Sequence, residues 1–279
     1  MGPHAATAAP ASPELTCDAL TSTFRVLQRR GGHRFSVDDR MTAWVAATLA
    51  RGRVEGASGW PCARSSSGST GPLRVLDLGT GIGSVLLMVA WAAPEAELVG
   101  VEAQAESYAL LTQNVERNGL VSRVRALHGD LRARVPELPA RSFDLVTGTP
   151  PYLPPGTATP SPDAQRAAAR IELRGGIEAY LVAAAHAVAP DGRVVVCADG
   201  RTPERTRRAA RDAGLHALAA LHVAPREGAG PLFTVWTLSL AAQAGHELAP
   251  TCDEATHVQR DARGERTAAS REVLAMFGL

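Results

Sequence analysis

From residue 73 to residue 240 the chain alternates short apolar runs with helix-patterned stretches, and that alternation leaves few folds open. The apolar runs are LRVLDL (73–78), ELVGVE (97–102), RVRALHGD (123–130), FDLVTG (143–148) and RVVVCA (193–198). Helical spacing fills 82–92, 105–118, 177–189 and 203–213, with a polar helix over 161–173. Strands linked through helices run parallel, and a parallel sheet needs helices on both faces. The expectation is a doubly wound, Rossmann-like α/β sheet. LHALAALHV (215–223) and LFTVWTLSL (232–240) are joined by a loop without a helix, which predicts an antiparallel pair at one edge.

The flanks read differently. Residues 1–12 read as a disordered tail and 13–71 as an N-terminal cap segment with a linker. Leu15, Leu20, Phe24 and Leu27 fall near one face of a helix over 14–29, so the cap is expected to be helical. A turn, GGHRFSVDD, leads to a second helix capped by Asp38 or Asp39 and running to about Ala50. Residues 52–71 are rich in Gly and Ser and read as linker. Residues 72–240 form the main domain. Residues 241–279 read as an appended extension with one amphipathic helix, 268–276.

Composition closes off several chemistries. All 29 basic residues are arginine, so no Schiff-base, pyridoxal-phosphate, phosphate-loop or S-x-x-K lysine is available. The four cysteines, Cys17, Cys62, Cys197 and Cys252, form no C-x-x-C pair, and the eight histidines show no H-x-x-x-H spacing. Free thiols, no metal site and a reducing, cytoplasmic setting are expected. No apolar run is long enough to span a membrane. A net charge of +1 points to no particular partner.

Ligands of open α/β sheets sit at the carboxyl ends of strands, where strand order reverses. The first such end is V-L-D-L-G-T-G-I-G-S. Gly79, Gly81 and Gly83 permit a tight turn and close backbone approach, with Thr80 between them. Ser84 stands where a dinucleotide fingerprint wants glycine, and Asp77 would repel a pyrophosphate on the helix N-terminus. An ammonium-bearing ligand such as S-adenosylmethionine suits that acid, and a nicotinamide oxidoreductase is disfavoured. Glu102 ends the second strand and can accept both ribose hydroxyls. Asp130 ends the third and can accept from an adenine amino group; Ala103 and Leu131 follow those acids. The bland reading of the acids is helix caps and turn residues.

The fourth strand runs into T-G-T-P-P-Y (147–152). Two prolines cannot continue a buried ladder. D-L-G-T-G-I-G followed by an acid at the next strand end resembles the class I S-adenosylmethionine-dependent methyltransferases. [NDST]-P-P-[YFW] after the fourth strand resembles the members that methylate nitrogen on a planar group: adenine N6, cytosine N4 or a glutamine amide. The resemblance implies that Thr149 and the Pro150 carbonyl accept hydrogen bonds from the target nitrogen. It also implies that Pro151 and Tyr152 offer it a stacking surface. The commonest form has Asn where Thr149 stands.

Residues 25–47 resemble the start of the bacterial adenine-N6 methyltransferases acting on tRNA-Val, in Gln28, Arg34, Phe35, Ser36 and Asp38. A-A-A-R-I-E-L (167–173) and V-A-P-R-E-G (223–228) extend the likeness. It implies that this segment covers the cofactor pocket, with Arg34 and Phe35 near the substrate. Implied partners are a tRNA, or instead a protein glutamine or a small molecule. A chain that binds the cofactor without turnover is the reading from another class. The proline-rich insertion 153–162 reads as a substrate gate or as an inert surface loop.

Overall fold

Val75, Leu76 and Leu78 on β3 (Arg74–Leu78) alternate between the two faces of the sheet, and so do Leu145 and Val146 on β6 (Phe143–Gly148). That alternation feeds two apolar clusters, one per face, each covered by helices. The computed structural model describes residues 14–52, 71–241 and 252–279. The tail 1–12, Cys62 and most of the Gly/Ser-rich linker lie outside the described residues.

The chain begins with β1 (Leu15–Ala19), β2 (Arg25–Arg29) and α1 (Val37–Ala50). After β3 come α2 (Ser84–Ala92), β4 (Glu97–Glu102), α3 (Ala105–Arg117), β5 (Val124–His128) and α4 (Leu131–Arg134). β6 leads to α5 (Ala164–Arg170), α6 (Ile177–Ala187), β7 (Val188–Asp199) and α7 (Pro203–Asp212). The chain closes with β8 (Leu215–Ala224), β9 (Phe233–Leu240), β10 (Asp253–Val258) and α8 (Ala268–Met276). The eight-stranded sheet has the order β5-β4-β3-β6-β7-β9-β8-β10. β9 pairs antiparallel with both of its neighbours, and every other pairing is parallel. Strand order therefore reverses between β3 and β6, the junction of the glycine loop and the TPPY corner.

The fold class is as expected, with two corrections outside the alternation. The first is the predicted helix over 14–29, which is a β-hairpin in register Cys17↔Leu27. Asn114 on α3 and Asn118, the residue that caps its C-terminus, decide it. Asn114 Oδ1 accepts from Leu27 N at 2.7 Å and Asn118 Oδ1 from Arg25 N at 2.9 Å. Their amides donate back to Leu27 O and Arg25 O at 3.1 and 2.8 Å. Spaced i, i+4 on a helix, the two amides satisfy the outer edge of β2 as a third strand would.

The second correction concerns 241–279. α8 is where the spacing put it, but β10 precedes it and pairs with β8, so β8 is interior. The extension also returns to the N-terminus. Ser22 N donates to Phe277 O at 2.8 Å, and the Phe277 ring lies 6.3 Å from Trp91.

Candidate active site

A cleft, open at its mouth, lies over the carboxyl ends of β3, β4, β5 and β6. Gly79, Thr80 and Gly81 form its floor, Glu102 and Ala103 one wall, and Asp130 and Leu131 the end of that wall. Thr149 and Pro151 reach it from the corner and Phe35 from the N-terminal segment. Sequence residues drawn from five separate stretches thus share one space.

Gly79 and Gly81 adopt φ of 59° and 58°, the left-handed region that glycine enters without cost. A Cβ on Gly79 would sit 2.0 Å from the Tyr180 hydroxyl, and one on Gly148 would sit 2.9 Å from the same ring. Tyr180, on α6, is buried beneath both the glycine loop and the corner, and it lines the cleft. Burial pushes its hydroxyl above the ordinary tyrosine range. A Cβ on Gly81 would meet nothing within 4 Å, so this glycine faces the open cleft.

Asp77 stands behind the loop rather than on the cleft wall. It is 2% exposed, and its carboxylate accepts from Thr80 Oγ1 at 2.5 Å and Thr147 Oγ1 at 2.7 Å. Burial raises its pKa to about 6 against the pull of those hydroxyls. Its carboxylate locks the loop to β6. Glu102 turns both oxygens onto backbone: Oε2 accepts from Gly81 N at 2.8 Å and Oε1 from Gln104 N at 2.6 Å. Burial pushes its pKa up as well. Asp130 caps α4, and the Arg132 guanidinium that grips it holds its pKa below the usual range.

One residue of the cleft carries no signature readable in the sequence: Asp39. It is only 7% exposed, lines the cleft, and accepts from Ser36 N at 3.0 Å. Thr149 Oγ1 lies 3.4 Å from its Oδ1. Burial, then the charges of Asp38 and Asp77, raise its pKa to about 7. Sequence spacing suggested only a helix cap at this position, and it became a site residue through tertiary placement.

Other expected residues point elsewhere. Arg34 is turned to the hairpin, where Nη2 meets Asp18 Oδ2 at 3.0 Å. Pro150 is buried, and Tyr152 packs on the core below the cleft. The Tyr152 hydroxyl lies 3.0 Å from Asp38 Oδ2 and 2.6 Å from Cys197 Sγ. The insertion at 153–162 contributes no lining residue. Past it, Gln165 spans the roof of the cleft: Oε1 accepts from His33 N at 3.2 Å and Nε2 donates to Ser107 Oγ at 3.0 Å. Arg29 pairs with Asp163 at 2.8 Å and Glu106 at 2.9 Å, fastening the hairpin over the same edge.

The donor set fits a cationic nucleoside. Asp39, Asp77 and Glu102 are buried, all shifted upward, and none is in an ion pair among the described residues. A ligand carrying an ammonium and a sulfonium would supply the missing positive charge.

Residues 75–171 match the family described as Methyltransferase domain. Residues 75–171 are thus a methyltransferase domain, and the strand ends of β3–β6 beneath the cleft lie within it. The ribosomal protein uL3 glutamine methyltransferase of Burkholderia pseudomallei is 28% identical over 180 residues, 61% of this chain and 57% of that enzyme. The tRNA1(Val) (adenine(37)-N6)-methyltransferase of Citrobacter koseri is 31% identical over 162 residues, 58% of this chain and 65% of that one. The chain spans little more than half of the uL3 enzyme's length. A putative transferase from Pyrococcus horikoshii shares the fold, with a TM-score of 0.55 at 14% identity, over 83% of this chain and 74% of that one. No helix among the described residues is long and apolar enough to cross a membrane.

Proposed function

We propose that the methyltransferase transfers a methyl group to a planar nitrogen, and that its substrate is an adenine N6 in a tRNA. One observation carries the reading: Thr149 and Pro151 open onto the same cleft as Gly79, Gly81 and Glu102. A nitrogen held at the corner is thereby brought beside the cofactor end of the cleft, and proximity of that kind is the main demand of methyl transfer.

Gly79 and Gly81 would hold the methionine end of the cofactor, Glu102 the ribose, and Asp130 with Leu131 the adenine. Bound S-adenosylmethionine supplies the electrophilic methyl group. The chain's own work is to accept hydrogen bonds from the target amine. An exocyclic amine on a ring is a poor nucleophile because its lone pair is delocalised; accepting from its N–H groups frees that pair. Thr149 Oγ1 is one acceptor, and the Asp39 carboxylate beside it is a second, in a corner that lacks the usual Asn amide. Tyr152, tied through its hydroxyl to Asp38 and Cys197, sets the angle of the corner from below.

Adenine in RNA is favoured by charge at the mouth. Arg174 lines the cleft, Arg166 and Arg170 are exposed on α5, and none of the three ion-pairs among the described residues. The arginines of α7 differ: Arg205 is held by Glu172 and Glu178, both at 2.7 Å. A protein glutamine is the second reading, favoured by the uL3 relative. Labelled S-adenosylmethionine, offered with total tRNA in one arm and ribosomal protein in the other, separates the two. Label in tRNA supports adenine; label in protein alone transfers the proposal to glutamine.

A further inference from the structure

A second pocket, apart from the cofactor cleft, is built where the C-terminal extension meets α1. Arg40 of α1 lines it from one side, and Gln259, Arg260, Arg266 and Ser270 from the other, with Phe233 at its base. Its empty space is about 670 Å³. β8 ends, β9 begins and β10 ends beside it, so it opens on the same carboxyl edge of the sheet as the cleft.

Its charge is one-sided. No acidic side chain lines it, and Arg40, Arg260 and Arg266 make no ion pair among the described residues. The Arg260 side chain donates from Nη1 to Gly264 O at 2.6 Å. Nε of Arg40 is buried without a hydrogen-bond partner, and its guanidinium rests 5.6 Å above the Phe35 ring. Burial and the nearby Arg266 push the Arg40 pKa down, with only Asp39 opposing. Ser270 Oγ donates to Gln259 Oε1 at 2.9 Å, so the Gln259 amide points its hydrogens elsewhere, meeting only the Met41 sulfur at 3.5 Å. A half-buried guanidinium with an unsatisfied Nε is costly, and an arginine fork beside a spare amide matches the oxygens of a phosphate.

We propose that this pocket binds a phosphate group, and that the group belongs to the backbone of an RNA substrate whose target base enters the cleft. The proposal rests on the RNA reading above. The path supports it: Phe35 lines the cleft and lies under Arg40, and Arg40 lines the pocket, so the two sites are neighbours along one edge. A polyanion reaching across that edge meets Arg174 at the cleft and Arg40, Arg260 and Arg266 at the pocket.

The test uses the full chain and an Arg260→Gln/Arg266→Gln variant, neither residue belonging to the cleft. Total tRNA binding is followed by fluorescence anisotropy as salt is raised, with S-adenosylhomocysteine binding as the control. The salt slope counts phosphates neutralised, so losing the pocket's one phosphate should lower the slope of log K against log salt by about one in the variant. Cofactor binding should stay the same. A second arm measures thermal stabilisation by inorganic phosphate, expected in the parent and lost in the variant. If the parent does not bind tRNA but the phosphate arm behaves as stated, the pocket stands with a free phosphate as its ligand, and the RNA reading fails. If neither arm distinguishes the variant from the parent, the pocket proposal is overturned.

Discussion

Asp39 shows what a single side chain can reveal at the residue scale. Its carboxyl is buried beside two others, and its pKa is raised from 3.8 to about 7. Asp77, at about 6, and Glu102 shift in the same direction. Between pH 4 and 7 the folded protein holds protons that the unfolded chain has released. Stability of the unliganded protein should therefore fall as pH rises through that window and level off above it. Asp39→Asn removes the titrating group while keeping the acceptor for Ser36 N. Thermal unfolding followed from pH 4.5 to 8 should show a clearly flatter profile for this variant; an unchanged profile would mean that Asp39 is ionised throughout. The glycines and the strand-end acids were legible in the sequence because backbone conformation and strand position are local properties. Asp39 and Tyr180 were not, because each enters the site from an element distant in the chain.

The N-terminal hairpin makes the same point at the scale of elements. Its residues have helical spacing, and nothing local forbids a helix. The deciding contacts lie 87 and 93 residues away, in Asn114 and Asn118. Asn114 is fully buried and also donates to Ile82 O at 2.9 Å, tying the hairpin to the end of the glycine loop. Asn114→Ala would strand backbone groups of Leu27 and Ile82, at about 1–3 kcal/mol. Urea denaturation should register that loss. Limited proteolysis should cut the variant within 14–30 first, because that edge of the hairpin loses its backbone partners. The alternating core from β3 to β9 was legible for the opposite reason: its strands and helices carry their own hydrophobic period, and short connections leave little topological freedom.

At the scale of the molecule, the N-terminal hairpin and the C-terminal extension close on each other. Phe277 is fully buried against Trp91, and β10 covers the edge of β8. Phe277→Ala should cost about 3–4 kcal/mol in chemical denaturation with cofactor affinity nearly unchanged, since neither partner touches the cleft. β10 escaped the sequence reading because D-E-A-T-H-V carries little apolar pattern; it is an edge strand, mostly exposed, held by pairing to β8. The central claim is that the cleft over β3–β6 is an S-adenosylmethionine site. Calorimetric titration of the full chain with S-adenosylhomocysteine tests it most directly. The account predicts one ligand per chain with a Kd on the order of micromolar, abolished by Gly81→Val, which would fill the open face of the loop. Absence of binding to the parent, or full binding to Gly81→Val, would contradict it.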